Sequence, residues 1–186
     1  MTFAAFCVYG TSAITAVTVQ NTLGVTAVAP LSADLVTAQI EALAGDVQLH
    51  ATKIGMLATA AIVEAVAAAI RELDLPMVVI DPVIASASGE RLLDEDGVQA
   101  LVAELLPRAR VVTPNIPEAE ALSGCRIASP DDARRAAQRI RSMGPSAVII
   151  TGGHSAGVEI VDLLYDDDTF TEFLATASHA LDSACV

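Results

Sequence analysis

The residues whose types and spacing could do chemistry lie in Val111-Val112-Thr113-Pro114-Asn115-Ile116-Pro117-Glu118-Ala119-Glu120. The β-branched run stops at Pro114, which has no amide for a strand ladder, and Asn115 precedes Glu118 by three residues, the spacing of a helix-capping box. Two readings share that geometry. In one, Asn115 caps a helix, Glu118 reaches back to its amide, and the pair contributes about 1 kcal/mol of local stability. In the other, a carboxylate and an amide held at the carboxyl end of a strand order the water shell of Mg²⁺ and its attached phosphates.

The elements that must position these groups alternate. Thr2 to Val8 reads as the last turns of a helix stopped by Gly10, and Ser12 to Val19 as a buried strand turning at Gln20-Asn21-Thr22. Gly24 to Ala29 is a second short strand. Ser32 caps a helix that carries Val36, Ile40, Leu43 and Val47 on one face, and His50 to Ile54 is the next strand. Ile62, Val66, Ala69, Ile70 and Leu73 recur at helical spacing. Met77 to Ile80 is an unbroken apolar strand closed by Asp81-Pro82. After a loop of small residues, Ile84 to Arg91, come a helix at Asp96 to Leu106 and the strand Val111 to Thr113. Ser129-Pro130-Asp131-Asp132 opens another helix, ended by Gly144. Ala147 to Ile150 is a strand leading into Thr151-Gly152-Gly153-His154. Val158 to Tyr165 and Thr169 to Ala175 form a hairpin around three aspartates. The expectation is one α/β domain over residues 1–186, with a mostly parallel sheet and right-handed crossovers.

Bulk properties narrow the function. A formal charge of −13 with a single lysine, Lys53, leaves no basic face for nucleic acid or an anionic membrane. Apolar residues make up 53% of the chain, ample for a core, yet no apolar run reaches eighteen residues and Met1-Thr2-Phe3 lacks a basic flank. A cytoplasmic protein is expected. Cys7, Cys125 and Cys185 are far apart, with neither zinc spacing nor a disulfide context. The Gly-rich fingerprints of dinucleotide and P-loop proteins and the nucleophile elbow of α/β-hydrolases are absent. Of the histidines, His50 reads as structural, His154 as site or surface, and His179 as exposed.

Six motifs then occur in a fixed order: Thr15 to Thr22 (TAVTVQNT), Lys53 to Leu57 (KIGML), Asp81-Pro82-Val83, Leu92-Leu93, Thr113 to Ala119 (TPNIPEA) and Gly152-Gly153-His154. In this the whole chain resembles the hydroxymethylpyrimidine and phosphomethylpyrimidine kinases of thiamine biosynthesis, a branch of the ribokinase-like fold. The resemblance implies a three-layer α/β sandwich and ATP-dependent phosphorylation of hydroxymethylpyrimidine and then of its monophosphate, with Mg²⁺. It implies that Gln20 hydrogen-bonds the aminopyrimidine edge, its amide offering a donor and an acceptor together. Thr18, Met56 and Val83 would form the pocket walls, although for Met56 and Val83 ordinary core packing is the plainer reading. Asn115, Thr151 and Gly153 match nucleotide-binding positions, Glu118 and Asp81 the metal site, and Cys185 the base.

The departures from the family's pattern carry expectations too. The family opens with a strand and a glycine-rich loop ahead of the segment at Thr2, and it forms an anion hole from Gly-Thr-Gly-Cys where this chain reads Asp182-Ser183-Ala184-Cys185. The family's lysine before Gly-Gly-His is Thr151, and its Ala-Lys-Ser-Gly is Ser86-Ala87-Ser88-Gly89. A fold incomplete at both ends is expected, with turnover below that of ordinary kinases and either marginal stability or association through an exposed sheet edge, as in a homodimer. Two other functions stay open: a pyridoxal-type kinase, and a non-catalytic remnant that binds pyrimidine.

Overall fold

The computed structural model describes residues 2–86, 89–152 and 159–176. The expectations attached to Ala87, Ser88, Gly153, His154, His179 and Asp182 to Cys185 fall outside the described residues.

A six-stranded sheet carries the architecture, with its strands in sequence order: β3 (Thr52–Ile54), β4 (Val78–Ile80), β5 (Val111–Val112), β6 (Ala147–Ile150), β7 (Glu159–Asp166) and β8 (Thr169–Thr176). The first three pairings are parallel and the last two antiparallel, so the sheet is mostly parallel as expected. The parallel steps cross through α3 (Ala60–Glu72), α4 (Glu95–Ala100), and the pair α5 (Ile116–Ser123) and α6 (Pro130–Arg141). Because these steps all run the same way, right-handed crossovers place these helices on one face of the sheet. Burial agrees. Ile54, Ile80, Val112 and Val148 on the helix side are buried, whereas Val79, Val111 and Ile149 on the other are half-buried and Lys53 is exposed. The described residues thus supply the sheet and one helical layer of the sandwich.

Apart from the short helix at Thr2–Ala5, each α-helix starts where a side chain can satisfy its first amides. Ser32 caps α2 (Ala33–Asp46), Thr59 caps α3, Asp94 caps α4, and Ser129 caps α6 with Pro130 in the first turn. Past α4 the chain rewinds into a π turn (Leu101–Leu105) and a 3₁₀ turn (Leu106–Arg108) that contains Pro107, whose missing amide forbids a regular helix there. Asp167 and Asp168 take left-handed φ of 44° and 58°, giving β7 and β8 the two-residue turn favoured by strand twist.

Four expectations need correction. Ser12 to Val19 is not a buried strand: β1 (Ala16–Asn21) pairs antiparallel with β2 (Gly24–Pro30) in a separate two-stranded sheet. Val17 and Val19 are 57% and 61% exposed on it, because among the described residues nothing packs on that face of the two-stranded ribbon. Its β-branched content reports strand propensity, which an exposed ribbon and a buried strand share. Met77 stands ahead of β4 with φ 46° and is exposed, and the opening helix α1 spans only Thr2–Ala5. His50, read as structural, is exposed in the bend before β3. No helix among the described residues is long and apolar enough to cross a membrane.

Candidate functional site

Four neighbouring strands, β3 to β6, end side by side at their carboxyl edge, where ligands of parallel α/β sheets bind. Lys53 lies on β3, Asp81 directly after β4, Asn115 and Glu118 beyond β5, and Thr151 directly after β6. The pairing continues past the regular strands. Asp81 N donates to Ile54 O at 2.9 Å, Thr113 N to Ile80 O at 2.9 Å, and Thr151 N to Pro114 O at 2.9 Å, so Asn115 and Thr151 form a parallel bridge. Backbone bonds therefore fix where these side chains begin.

At α5 the capping box is complete. Asn115 Oδ1 accepts from Glu118 N at 2.9 Å, and Glu118 Oε2 accepts from Asn115 N at 2.9 Å. The helix closes at Gly124, whose φ of 67° suits a residue without a Cβ. The box alone does not account for Glu118, which is 6% exposed. Burial pushes its carboxyl above the ordinary glutamate range; the bond from the Asn115 backbone pulls down, the nearby Asp81 charge pushes up, and a bond from the Ile84 backbone pulls down. A capping acid normally lies near solvent. Here it is drawn under the loop that follows β4 and faces a second acid.

Asp81 accepts a hydrogen bond from Lys53 Nζ at 2.9 Å in an ion pair that is partly open to solvent. Among the described residues no group of three or more His, Cys, Asp or Glu side chains is arranged to hold a metal ion. Asp81 and Glu118 by themselves fit Mg²⁺, which keeps most of its waters and takes one or two carboxylates together with phosphate oxygens.

The hairpin β1–β2 is rooted at the same edge. Thr15 Oγ1 donates to Met56 O at 2.7 Å, Leu31 N donates to Thr15 O at 2.9 Å, and Gln39 of α2 bonds both backbone groups of Ile14. Val28 and Pro30 of β2 face Ala58, Arg91, Leu92 and Asp94 across a cleft of about 270 Å³. Thr18 pairs with Val28 and is half-buried, whereas Gln20 is exposed. The register slips between Val19 and Gln20, where Thr26 is the extra residue of β2, so Gln20 departs from the alternation that Thr18 follows. Met56 and Val83 are half-buried and stand outside the hydrophobic core, which removes core packing as their explanation. A larger hollow, of about 550 Å³, lies at the opposite end of the sheet around Arg71, Arg108 and Arg110 and contains none of these residues.

The structure thus brings Asp81, Asn115, Glu118 and Thr151 to one edge, with the Met56 and Val83 loops beside them. Gly153 and Cys185 lie outside the described residues. Sequence reasoning gave no role to Lys53, although its place in β3, in register one strand away from the run ending at Asp81, was the signal. It also missed Thr15, whose anchoring bond to a loop carbonyl leaves no pattern in sequence.

A family model described as phosphomethylpyrimidine kinase matches residues 1–181. A hydroxymethylpyrimidine/phosphomethylpyrimidine kinase of Rhizobium meliloti (strain 1021) is 45% identical over 175 residues, which are 94% of this chain and 65% of that protein. The chain therefore spans just under two thirds of that relative's length. The crystal structure of phosphomethylpyrimidine kinase from Clostridium difficile 630 superposes with a TM-score of 0.84 at 40% identity, covering 92% of this chain and 74% of that one. An ADP complex of Bacillus subtilis pyridoxal kinase gives a TM-score of 0.84 at 35% identity, covering 96% of this chain and 67% of that one.

Proposed function

The chain belongs to the phosphomethylpyrimidine kinase family, and from that premise we propose that it transfers the γ-phosphoryl group of ATP to hydroxymethylpyrimidine and then to its monophosphate. The observation that carries the proposal is the meeting of Asp81 and Glu118 at the edge where Asn115 and Thr151 are bridged. Phosphoryl transfer asks a protein for positioning and charge neutralisation more than for covalent chemistry. Mg²⁺ held near the two carboxylates supplies that neutralisation.

In this reading Asn115, Thr151 and Gly153 bind the nucleotide beyond β5 and β6. Gln20 takes the aminopyrimidine edge, with Thr18, Met56 and Val83 as the walls. In the first transfer the substrate hydroxyl attacks the γ-phosphorus, a new O–P bond forms, the bridging O–P bond to ADP breaks, and Cys185 takes the hydroxyl proton; in the second a phosphate oxygen of the monophosphate attacks instead and ADP leaves in the same way. The proposal places the reaction in the cytoplasm, where ATP is supplied, and in a homodimer, with no nucleic-acid or membrane partner. The likeness to a pyridoxal kinase at TM-score 0.84 favours pyridoxal as the second substrate ring to be tried. ADP release measured with hydroxymethylpyrimidine, its monophosphate and pyridoxal tests the proposal. Faster release with pyridoxal than with either pyrimidine overturns the substrate assignment. Pyrimidine binding without ADP release means a remnant that holds its ligand and does no chemistry.

Gln20→Ala is expected to weaken hydroxymethylpyrimidine binding by about tenfold, since each lost hydrogen bond costs about 0.5 to 1.5 kcal/mol net. Gln20 is exposed, so the fold is unaffected. Calorimetric titration gives the comparison, and equal affinities remove Gln20 from the site.

A further inference from the structure

We infer that Lys53 is the group that selects the phosphorylated pyrimidine, binding the substrate's own phosphate during the second transfer. The inference rests on the kinase reading and adds to it the source of charge recognition. Lys53 is the chain's only lysine, against a net charge of −13. Its ion pair with Asp81 leaves the lysine side chain 52% and the aspartate 34% exposed. Pairs so open to solvent contribute little to stability, so a structural role does not account for the placement.

Position along the strand ends does account for it. Across the sheet the order is Lys53 on β3, Asp81 after β4, Asn115 and Glu118 after β5, and Thr151 after β6. Thr151 thus lies on one side of the acid pair and Lys53 on the other, with Asn115 beside Glu118. Lys53 shares its side with Met56, three residues on in the same strand end. The ammonium reaches the backbone at Gly55, where Nζ lies 3.9 Å from the place a Cβ would take, an ordinary contact distance. An ammonium has three N–H donors. Asp81 Oδ2 engages one of them, at 2.9 Å, and the others remain for an incoming anion.

The two proposed acceptors differ in this respect. Hydroxymethylpyrimidine is neutral, while its monophosphate carries two negative charges toward a site that already holds Asp81 and Glu118 and must also admit ATP. Without a cation on the pyrimidine side, the second acceptor is repelled. Thr151 supplies no charge, and Arg91, in the cleft beside β2, pairs with Glu95 at 3.4 Å.

The test compares wild type, Lys53→Met and Lys53→Arg in the full chain for kcat/KM with each pyrimidine. In Lys53→Met the ratio of monophosphate to alcohol is expected to fall about tenfold or more, the loss of one charge-assisted hydrogen bond. Lys53→Arg recovers most of it. Raising ionic strength is expected to lift KM for the monophosphate in wild type and to leave it flat in Lys53→Met. A ratio unchanged in Lys53→Met, or an equal fall for both pyrimidines, overturns the inference while leaving the kinase reading intact. Wild type that turns over neither pyrimidine overturns the kinase reading, and this inference with it.

Discussion

Glu118→Gln is expected to lower Mg-ATP-dependent turnover about a hundredfold or more, the range lost when one group that meets charge in the transition state is removed, while the protein stays folded. Glutamine keeps an oxygen that can accept from Asn115 N, so the capping box survives. What disappears is the charge. Stability gives an independent readout, and its sign can be worked out. Burial raises the Glu118 pKa in the folded state. Whatever this group contributes to stability is fully present below its unfolded pKa of about 4.3 and is lost as pH rises through the folded value. Above that, ionised Glu118 costs the fold something that glutamine does not. The variant's melting temperature should therefore match or exceed that of wild type at pH 7, and its advantage should shrink toward pH 4. A variant less stable at pH 7 would show that the carboxylate itself holds α5 in place. Unchanged turnover would leave Glu118 a cap.

How much of this could be read from sequence depended on whether a signal was local. The box at Asn115 and Glu118 was legible because three-residue spacing and Pro117 are local chemistry, and the structure forms both of its hydrogen bonds. The parallel strands were legible because Val78 to Ile80 and Ala147 to Ile150 are short apolar runs between helices. The exposure of the β1–β2 hairpin was not. Val17 and Val19 read as core residues by type, yet among the described residues nothing covers them. The burial of Glu118 and the nearby Asp81 charge, which bear on cap against ligand, are not encoded in spacing. The Lys53 to Asp81 pair is set by register between β3 and β4, 28 residues apart in sequence. Family motifs named stretches that gather at this edge, but where each stands relative to the acid pair came from strand order.

Gly152→Ala should cost about 3 kcal/mol, the upper part of the usual range for overfilling a packed site. A Cβ there would sit 2.2 Å from Val161 O and 2.9 Å from Val161 C, and these are backbone atoms of β7 that no rotamer change can move aside. The Gly152 amide also donates to Asp162 Oδ1 at 2.9 Å, which holds the chain in that close approach. Relief requires β6 and β7 to separate where β6 ends, and Thr151, bridged to Asn115, moves with them. Nucleotide affinity should therefore fall together with a melting temperature lowered by about 6 to 12 °C. Gly124→Ala supplies the contrast. Nothing lies within 4 Å of its would-be Cβ, and the φ of 67° is its only demand, so about 1 kcal/mol is expected. Melting curves of the two variants separate crowding from backbone conformation. Equal losses at both glycines would mean that β7 yields to the methyl group and that Gly152 does not set the position of Thr151.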